Sequence, residues 1–272
     1  MHTILEVRGL YKRFGQQEVL RDISFSVGPG EIIGYIGPNG AGKSTTVKII
    51  LGLLEADAGE VLLKGQAIDP ADSTYKRMIG YVPETAALYD TLTLREYIHF
   101  TGKLYGLSAE QINSRSLPML EIMDLDDSLD KRLGAFSKGM RQKTLIITSL
   151  LHSPDVLFWD EPLNGLDANS VLVIKEIMAR LAAQGKTIFY SSHIMETVEK
   201  LSQRILLLNE GRILADGTLQ QIRGNTDVSL ETFFNEVTGF TEHAELADRF
   251  VAAVTGQTVS TVSGSGSGEA AQ

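Results

Sequence analysis

Cysteine is absent from all 272 residues. That excludes disulfides, cysteine-bound zinc and thiol nucleophiles, and it suits a cytosolic setting. Missing too is any apolar run near the ~18 residues that cross a bilayer. The opening Met-His-Thr-Ile-Leu-Glu lacks the basic-then-apolar order of a signal peptide. Work at a membrane therefore calls for another chain to supply the span. Basic residues are in deficit, 25 against 34 acidic, and the net charge of −9 opposes a broad nucleic-acid or anionic-lipid surface. A local anion pocket remains open.

What is present suits a folded domain. Apolar residues make up 43% and charged ones 22%, enough for a core and against a disordered or collagen-like chain. Set against domains of about 150 residues, the length admits one large α/β domain or a domain with an appendage. Residues 4–8 and 19–27 alternate apolar and polar side chains and break at Gly15 and Gly28-Pro29-Gly30, which predicts antiparallel strands. Residues 31–36 predict a short buried strand, followed by a glycine-rich turn and a helix over 44–54. Another strand is expected at 79–82. From 92 to about 150, Leu, Ile and Met recur at helical spacing and predict an inserted helical subdomain.

Buried strands are expected at 156–159, 187–191 and 205–208, with an amphipathic helix over 168–183 between the first two. This alternation predicts a mainly parallel sheet. Asn209-Glu210-Gly211 reads as the turn of a hairpin into 212–215. The expected division is a main α/β domain over 1–222, a C-terminal helical extension over 223–262 with helices at 230–238 and 242–254, and a flexible Gly/Ser tail over 263–272.

Chemistry concentrates at two places. Gly37-Pro38-Asn39-Gly40-Ala41-Gly42-Lys43-Ser44 fits the phosphate-loop pattern and falls between an expected strand and an expected helix. Its glycines let backbone N–H groups turn toward phosphates; Lys43 reaches the β/γ oxygens and the Ser44 hydroxyl can ligate Mg²⁺. Thr45 follows at the first helical turn, whose dipole favours an anion. Second, the apolar strand 156–159 delivers Asp160 and Glu161 to the carboxyl edge of the sheet, where ligands collect. Asp160 suits Mg²⁺, and Glu161 suits polarising a water for attack on the γ-phosphate.

On these residues the chain resembles the nucleotide-binding subunit of an ATP-binding-cassette (ABC) transporter over about residues 4–222. The resemblance implies a phosphate-loop core with an N-terminal antiparallel β subdomain and an inserted helical subdomain. Ala135-Phe136-Ser137-Lys138-Gly139-Met140-Arg141-Gln142 stands where the family carries its Leu-Ser-Gly-Gly-Gln signature. Ser137 and Gly139 match; Phe136, Lys138 and Met140 depart. The likeness implies that Ser137 and Gly139 close on ATP held by a second subunit, and Ser137 also suits a helix N-cap.

In Ile79-Gly80-Tyr81-Val82-Pro83-Glu84, Glu84 takes the place of the family's Q-loop glutamine, as a metal ligand or in a positional role only. Asn164-Gly165-Leu166-Asp167 resembles the D-loop, and His193 matches the switch histidine that contacts the γ-phosphate. Phe14 matches the aromatic that stacks on adenine, with Tyr11 as the alternative. Phe233 and Phe234 read as packing residues.

The likeness thus nominates Glu161, His193 and Lys43 for catalysis. ATP would lie on Phe14, Gly37, Pro38, Asn39, Gly40, Ala41, Gly42, Lys43, Ser44, Thr45, Ser137 and Gly139, with Mg²⁺ on Ser44, Asp160 and Glu84. Expected partners are a second ATPase subunit and an integral membrane permease at the cytoplasmic face of the membrane, with no nucleic acid. The branch it resembles is the one in which a separate ATPase chain serves exporters. A soluble ABC ATPase acting on nucleic acid or ribosomes is the alternative. Such relatives usually carry paired cassettes, a long coiled-coil insertion or zinc-binding cysteines, and none of these occurs here.

Overall fold

The computed structural model describes residues 3–224, 228–239 and 243–255. They divide into two compact units, one ending at Leu230 and the other beginning at Glu231. In chain order the first unit opens with β1 (Leu5–Phe14), β2 (Gln17–Val27), β3 (Ile32–Ile36), α1 (Lys43–Ile50), β4 (Ala58–Leu63), β5 (Gln66–Ala67) and β6 (Ile79–Val82). A helical insert follows, comprising α2 (Leu94–Leu104), α3 (Ala109–Ile122) and α4 (Lys138–Leu150). The chain returns through β7 (Val156–Asp160), α5 (Ala168–Ala183), β8 (Thr187–Ser191), α6 (Met195–Leu201), β9 (Arg204–Asn209), β10 (Arg212–Gly217) and α7 (Leu219–Arg223). Then come α8 (Leu230–Thr238) and α9 (His243–Thr255).

Two sheets organise the first unit. One is antiparallel in the order β2-β1-β4-β5; the other runs β10-β9-β3-β8-β7-β6, parallel except for the β9–β10 hairpin. The expected mainly parallel sheet and N-terminal antiparallel layer are both present. Strands β3 and β8 are buried at every residue, as interior strands of a covered parallel sheet must be. The layers join through aromatic rings. Phe25 of β2 lies 5.9 Å from Phe189 of β8 and 6.5 Å from Tyr35 of β3, and Phe158 of β7 stacks on Phe189 at 4.7 Å. Tilted and offset contacts of this kind suit the ring quadrupole.

Several expected boundaries shift, each for a local reason. The helix expected over 44–54 ends at Ile50 because Gly52 adopts φ 63°, and the Gly52 and Leu53 amides bond the Ile49 and Lys48 carbonyls. That pair of bonds is a Schellman cap, which the apolar Leu53 and Leu54 disguise in the sequence pattern. Strand β1 runs well past residue 8 because irregular pairing with β2 absorbs Gly9. Strands β4 and β5 were not expected; their short segments show little alternation. Glu242, at the start of the expected last helix, and the Gly/Ser tail lie outside the described residues.

Candidate functional site

The segment between β3 and α1 places the phosphate loop where helical amides face outward. Helices α2, α3, α4, α5 and α7 all begin under a side-chain cap, whereas α1 starts from Gly42 with none. Gly42 takes φ 106°, and a Cβ there would come within 2.6 Å of Leu20, so only glycine fits. The uncapped amides and the dipole at this terminus make an anion site. Lys43 Nζ is held over the loop, donating to the carbonyls of Gly37 at 2.5 Å and Pro38 at 3.2 Å. Burial pushes the Lys43 pKa down, and the charges of Asp160, Glu161 and Glu84 oppose that shift. The three carboxylates singled out by sequence therefore all act on the loop lysine.

A narrow cleft lined by Lys43, Ser44, Tyr81, Asp160 and Ser191 brings the ends of β3, β6, β7 and β8 together. Parallel strands place their carboxyl ends at one edge, so residues from distant parts of the chain meet there. Asp160 accepts a hydrogen bond from Ser191 Oγ, and Glu161 Oε2 accepts one from Ser192 Oγ at 3.4 Å. Glu161 Oε1 accepts the His193 backbone N–H at 2.7 Å and lies 2.9 Å from His193 Nδ1. The carboxyl group is 13% exposed, while the His193 ring is 69% exposed and keeps its far edge open. Glu161 has φ 49°, a left-handed conformation that costs a non-glycine residue roughly 1–3 kcal/mol. Backbone bonds on both sides hold it there, from Glu161 N to the Ser191 carbonyl and from Asn164 N to the Glu161 carbonyl.

Ser191 and Ser192 were missed by sequence reasoning. Their available signal was a polar pair directly after an apolar strand, at the edge that already bore Asp160 and Glu161. Tyr81 also lines the cleft, and burial raises its hydroxyl pKa to about 12, aided by Asp160 and Glu84. Glu84 itself is exposed beyond the end of β6.

On the other side of the loop, a hollow is lined by Gln17, Val19, Arg21, Gly40 and Glu210. Phe14 closes the neighbouring β1–β2 turn with half its surface exposed; Lys12 Nζ lies 5.7 Å from its ring centre and is held at 2.8 Å by Asp57. Tyr11 is also exposed, so both aromatics present a face to solvent.

Ser137 and Gly139 are not among the residues lining the cleft. Ser137 caps α4, accepting the Met140 N–H at 3.2 Å. Gly139 packs so closely on the loop before α5 that a Cβ would fall 2.7 Å from the Gly165 carbonyl, and the stem of Lys138 covers Gly165. Asp167 caps α5 through the amide and hydroxyl of Ser170 at 2.9 and 2.5 Å. Those bonds from Ser170, with Lys143 nearby, lower its pKa to about 2.

The lead-in to α4 is stitched to the segment after Glu84. Arg141 Nη2 donates to Asp90 at 2.6 Å, while the Leu133 and Gly134 amides donate to the carbonyls of Leu92 and Asp90. Tyr89 stands exposed between Tyr97 and Phe100, with ring centres 6.3 and 5.8 Å away.

Fold and cleft together define a phosphate-loop nucleotide hydrolase. The family described as ABC transporter matches residues 20–164, just over half of the chain. A linearmycin resistance ATP-binding protein of Bacillus subtilis (strain 168) is 36% identical over 260 residues, covering 94% of this chain and 82% of that protein. Nod factor export ATP-binding protein I of Burkholderia lata is 34% identical over 252 residues, covering 89% and 83%. A solved structure described as the ATP binding subunit of an ABC transporter aligns with a TM-score of 0.82 at 38% identity, covering 86% of this chain and 99% of that one. The chain belongs to the ABC transporter family and is an ATP-binding subunit with ATPase activity. No helix among the described residues is long and apolar enough to cross a membrane.

Proposed function

We propose that this ATPase dimerises around two ATP molecules and powers export through a separate membrane permease at the cytoplasmic face. The observation that carries the reading is the split between the cleft and the signature segment. Lys43, Ser44 and Asp160 line one cleft, with the charges of Glu161 and Glu84 close enough to act on the lysine, while Ser137 and Gly139 stand apart at the start of α4, available to a second copy. Export is favoured by the relatives, one named for Nod factor export and one for linearmycin resistance.

In this reading the N–H groups of Gly37, Asn39, Gly40, Gly42, Ser44 and Thr45 cradle the phosphates, Pro38, which has no N–H, shapes the turn and accepts the Ala41 N–H at 3.1 Å, and Lys43 reaches the β/γ oxygens. Among the described residues, no three His, Asp or Glu side chains converge into a metal cage. The Ser44 hydroxyl and Asp160 instead line the cleft together, a hard-oxygen pair suited to Mg²⁺, which is usually held by one or two protein oxygens, substrate phosphates and water. Mg²⁺ bound there would neutralise charge on the transferring phosphoryl group. Glu161, oriented by Ser192 and His193, accepts a proton from the attacking water, and the open edge of His193 faces the γ-phosphate. Phe14 offers its exposed face to the base.

Coupling to the permease would run through residues 84–97. Its inner end acts on Lys43, its middle is bonded to the lead-in of α4, and Tyr89 forms an outer patch with Tyr97 and Phe100. Leu88 and Leu92, half-buried beside Tyr89, complete the floor of a groove for a short partner helix.

Because the chain has no native cysteine, single cysteines scanned along 85–91 test this directly in membranes containing the cognate partner. Adducts with an integral protein are expected. Only ATPase–ATPase adducts, with the partner demonstrably present, would favour a soluble ATPase instead. Glu84→Gln separates its two roles: a shifted Mg²⁺ dependence of turnover marks a metal ligand, and an unaltered titration removes it from the metal.

A further inference from the structure

The geometry points to a second binding site, for a free single-chain amphiphile with a carboxylate head, in a cavity between α3, α4 and α5 away from the nucleotide cleft. The cavity measures about 500 Å³, within the range of small-molecule pockets. Its walls are Met119 from α3 and Met123 just past its end, Ile146 and Leu150 from α4, and Ile177 and Leu181 from α5. Three helices thus turn apolar side chains toward a hollow. The methionines add surfaces that adapt to a flexible chain.

The polar groups gather at one end. Arg115 and Lys186 both line the cavity, and both reach the turn after α4: Arg115 Nη1 donates to the Leu151 carbonyl at 2.9 Å and Lys186 Nζ to the Ser153 carbonyl at 3.0 Å. His152 lies between these bonds. Burial pushes its pKa down and the positive charges of Arg115 and Lys186 push the same way, against a bond to the Ile79 carbonyl. Two cations therefore act on one small region.

No carboxylate lines the cavity. Asp155 is 3.8 Å from Lys186 Nζ but is engaged more closely by Lys64 at 2.7 Å. Arg115 bonds a carbonyl, which leaves its charge without an acidic counterpart in the cavity. An apolar body with positive charge at one end complements a ligand with an apolar tail and a single anionic head. Occupancy would brace the helical insert, through α3 and α4, against α5 of the core.

Titration of the full chain with dodecanoate, followed by calorimetry with ATP affinity as the check of folding, tests the site. We expect saturable one-to-one binding, with dodecanol weaker by roughly tenfold or more for want of a charge-assisted contact. Replacing both cations, Arg115→Gln with Lys186→Gln, should lower dodecanoate affinity by a similar factor, and filling the hollow by Met119→Trp should abolish it. A doxyl-stearate probe should broaden the methyl resonances of Met119 and Met123 in the unaltered protein, which reads location without any substitution. Absence of saturable binding, equal affinity for dodecanoate and dodecanol, uptake only from anionic vesicles, or unbroadened Met119 and Met123 signals would each overturn the site.

Discussion

The carboxyl edge of the parallel sheet and the start of α4 carry equally suggestive motifs, yet they are built in opposite ways. At the edge, Asp160 and Glu161 find Ser191, Ser192 and His193 within the same chain, and Lys43 feels three carboxylates. At the start of α4, Ser137 satisfies a local amide, Gly139 rests on Gly165, and neither residue lines the cleft. The edge is assembled for chemistry by one copy's folding, whereas the α4 start is held ready with its helix N-terminus outward. Under the proposed function these two regions are halves of one site that meet when a second copy approaches, so dimer closure would control turnover.

Breaking the edge should have the largest effect. Glu161→Gln removes the proposed proton acceptor and should lower turnover by roughly 10²–10⁴-fold while leaving ATP affinity nearly unchanged. Single-turnover hydrolysis beside equilibrium ATP binding measures both, and an ATP-bound dimer should accumulate on size exclusion. Turnover close to that of the unaltered protein would remove Glu161 from the reaction.

Lys43→Ala acts on the ground state as well. Loss of charge-assisted bonds worth about 1.5–3 kcal/mol should weaken ATP roughly tenfold to a hundredfold by calorimetry. Unchanged affinity would mean that the lysine does not reach the phosphates.

At α4 the expected change is smaller in one chain and appears mainly between chains. Ser137→Ala should lower stability by about 1 kcal/mol through the lost cap, read from denaturant unfolding. It should also weaken the ATP-dependent dimer trapped by Glu161→Gln. Loss of stability with an unaltered dimer would confine Ser137 to capping.

The smallest effect concerns Asp167, which is exposed. Its pKa falls from 3.8 to about 2 through the Ser170 bonds, so its contribution is present above the unfolded value and fades as pH drops toward 2. Between about pH 4 and 2 the unaltered protein should lose more stability than Asp167→Asn in acid unfolding. Parallel acid curves would show that the cap adds no pH dependence.

Legibility followed the same division. The phosphate loop, Asp160-Glu161 and His193 could be found because short strands fix where the next residue emerges, so spacing along the chain predicts position at the edge. The helices over 168–183 and 230–238 were readable to the residue because periodicity and caps are local signals. Gly52 misled the end of α1, since its cap depends on two backbone bonds that hydrophobic pattern does not encode.

By itself, then, the sequence determined the class of chemistry: an anion loop with its lysine, two carboxylates at a strand end, and no thiol or cysteine-bound zinc alternative. Only the tertiary structure decided which groups meet. Ser191 joins Asp160 across 31 residues and Arg141 joins Asp90 across 51, while α3, α4 and α5 leave a hollow lined in part by Arg115 and Lys186. Such contacts depend on how separately formed strands and helices pack, and the physical reason they escape the sequence is that side-chain spacing within each element carries no record of its neighbour.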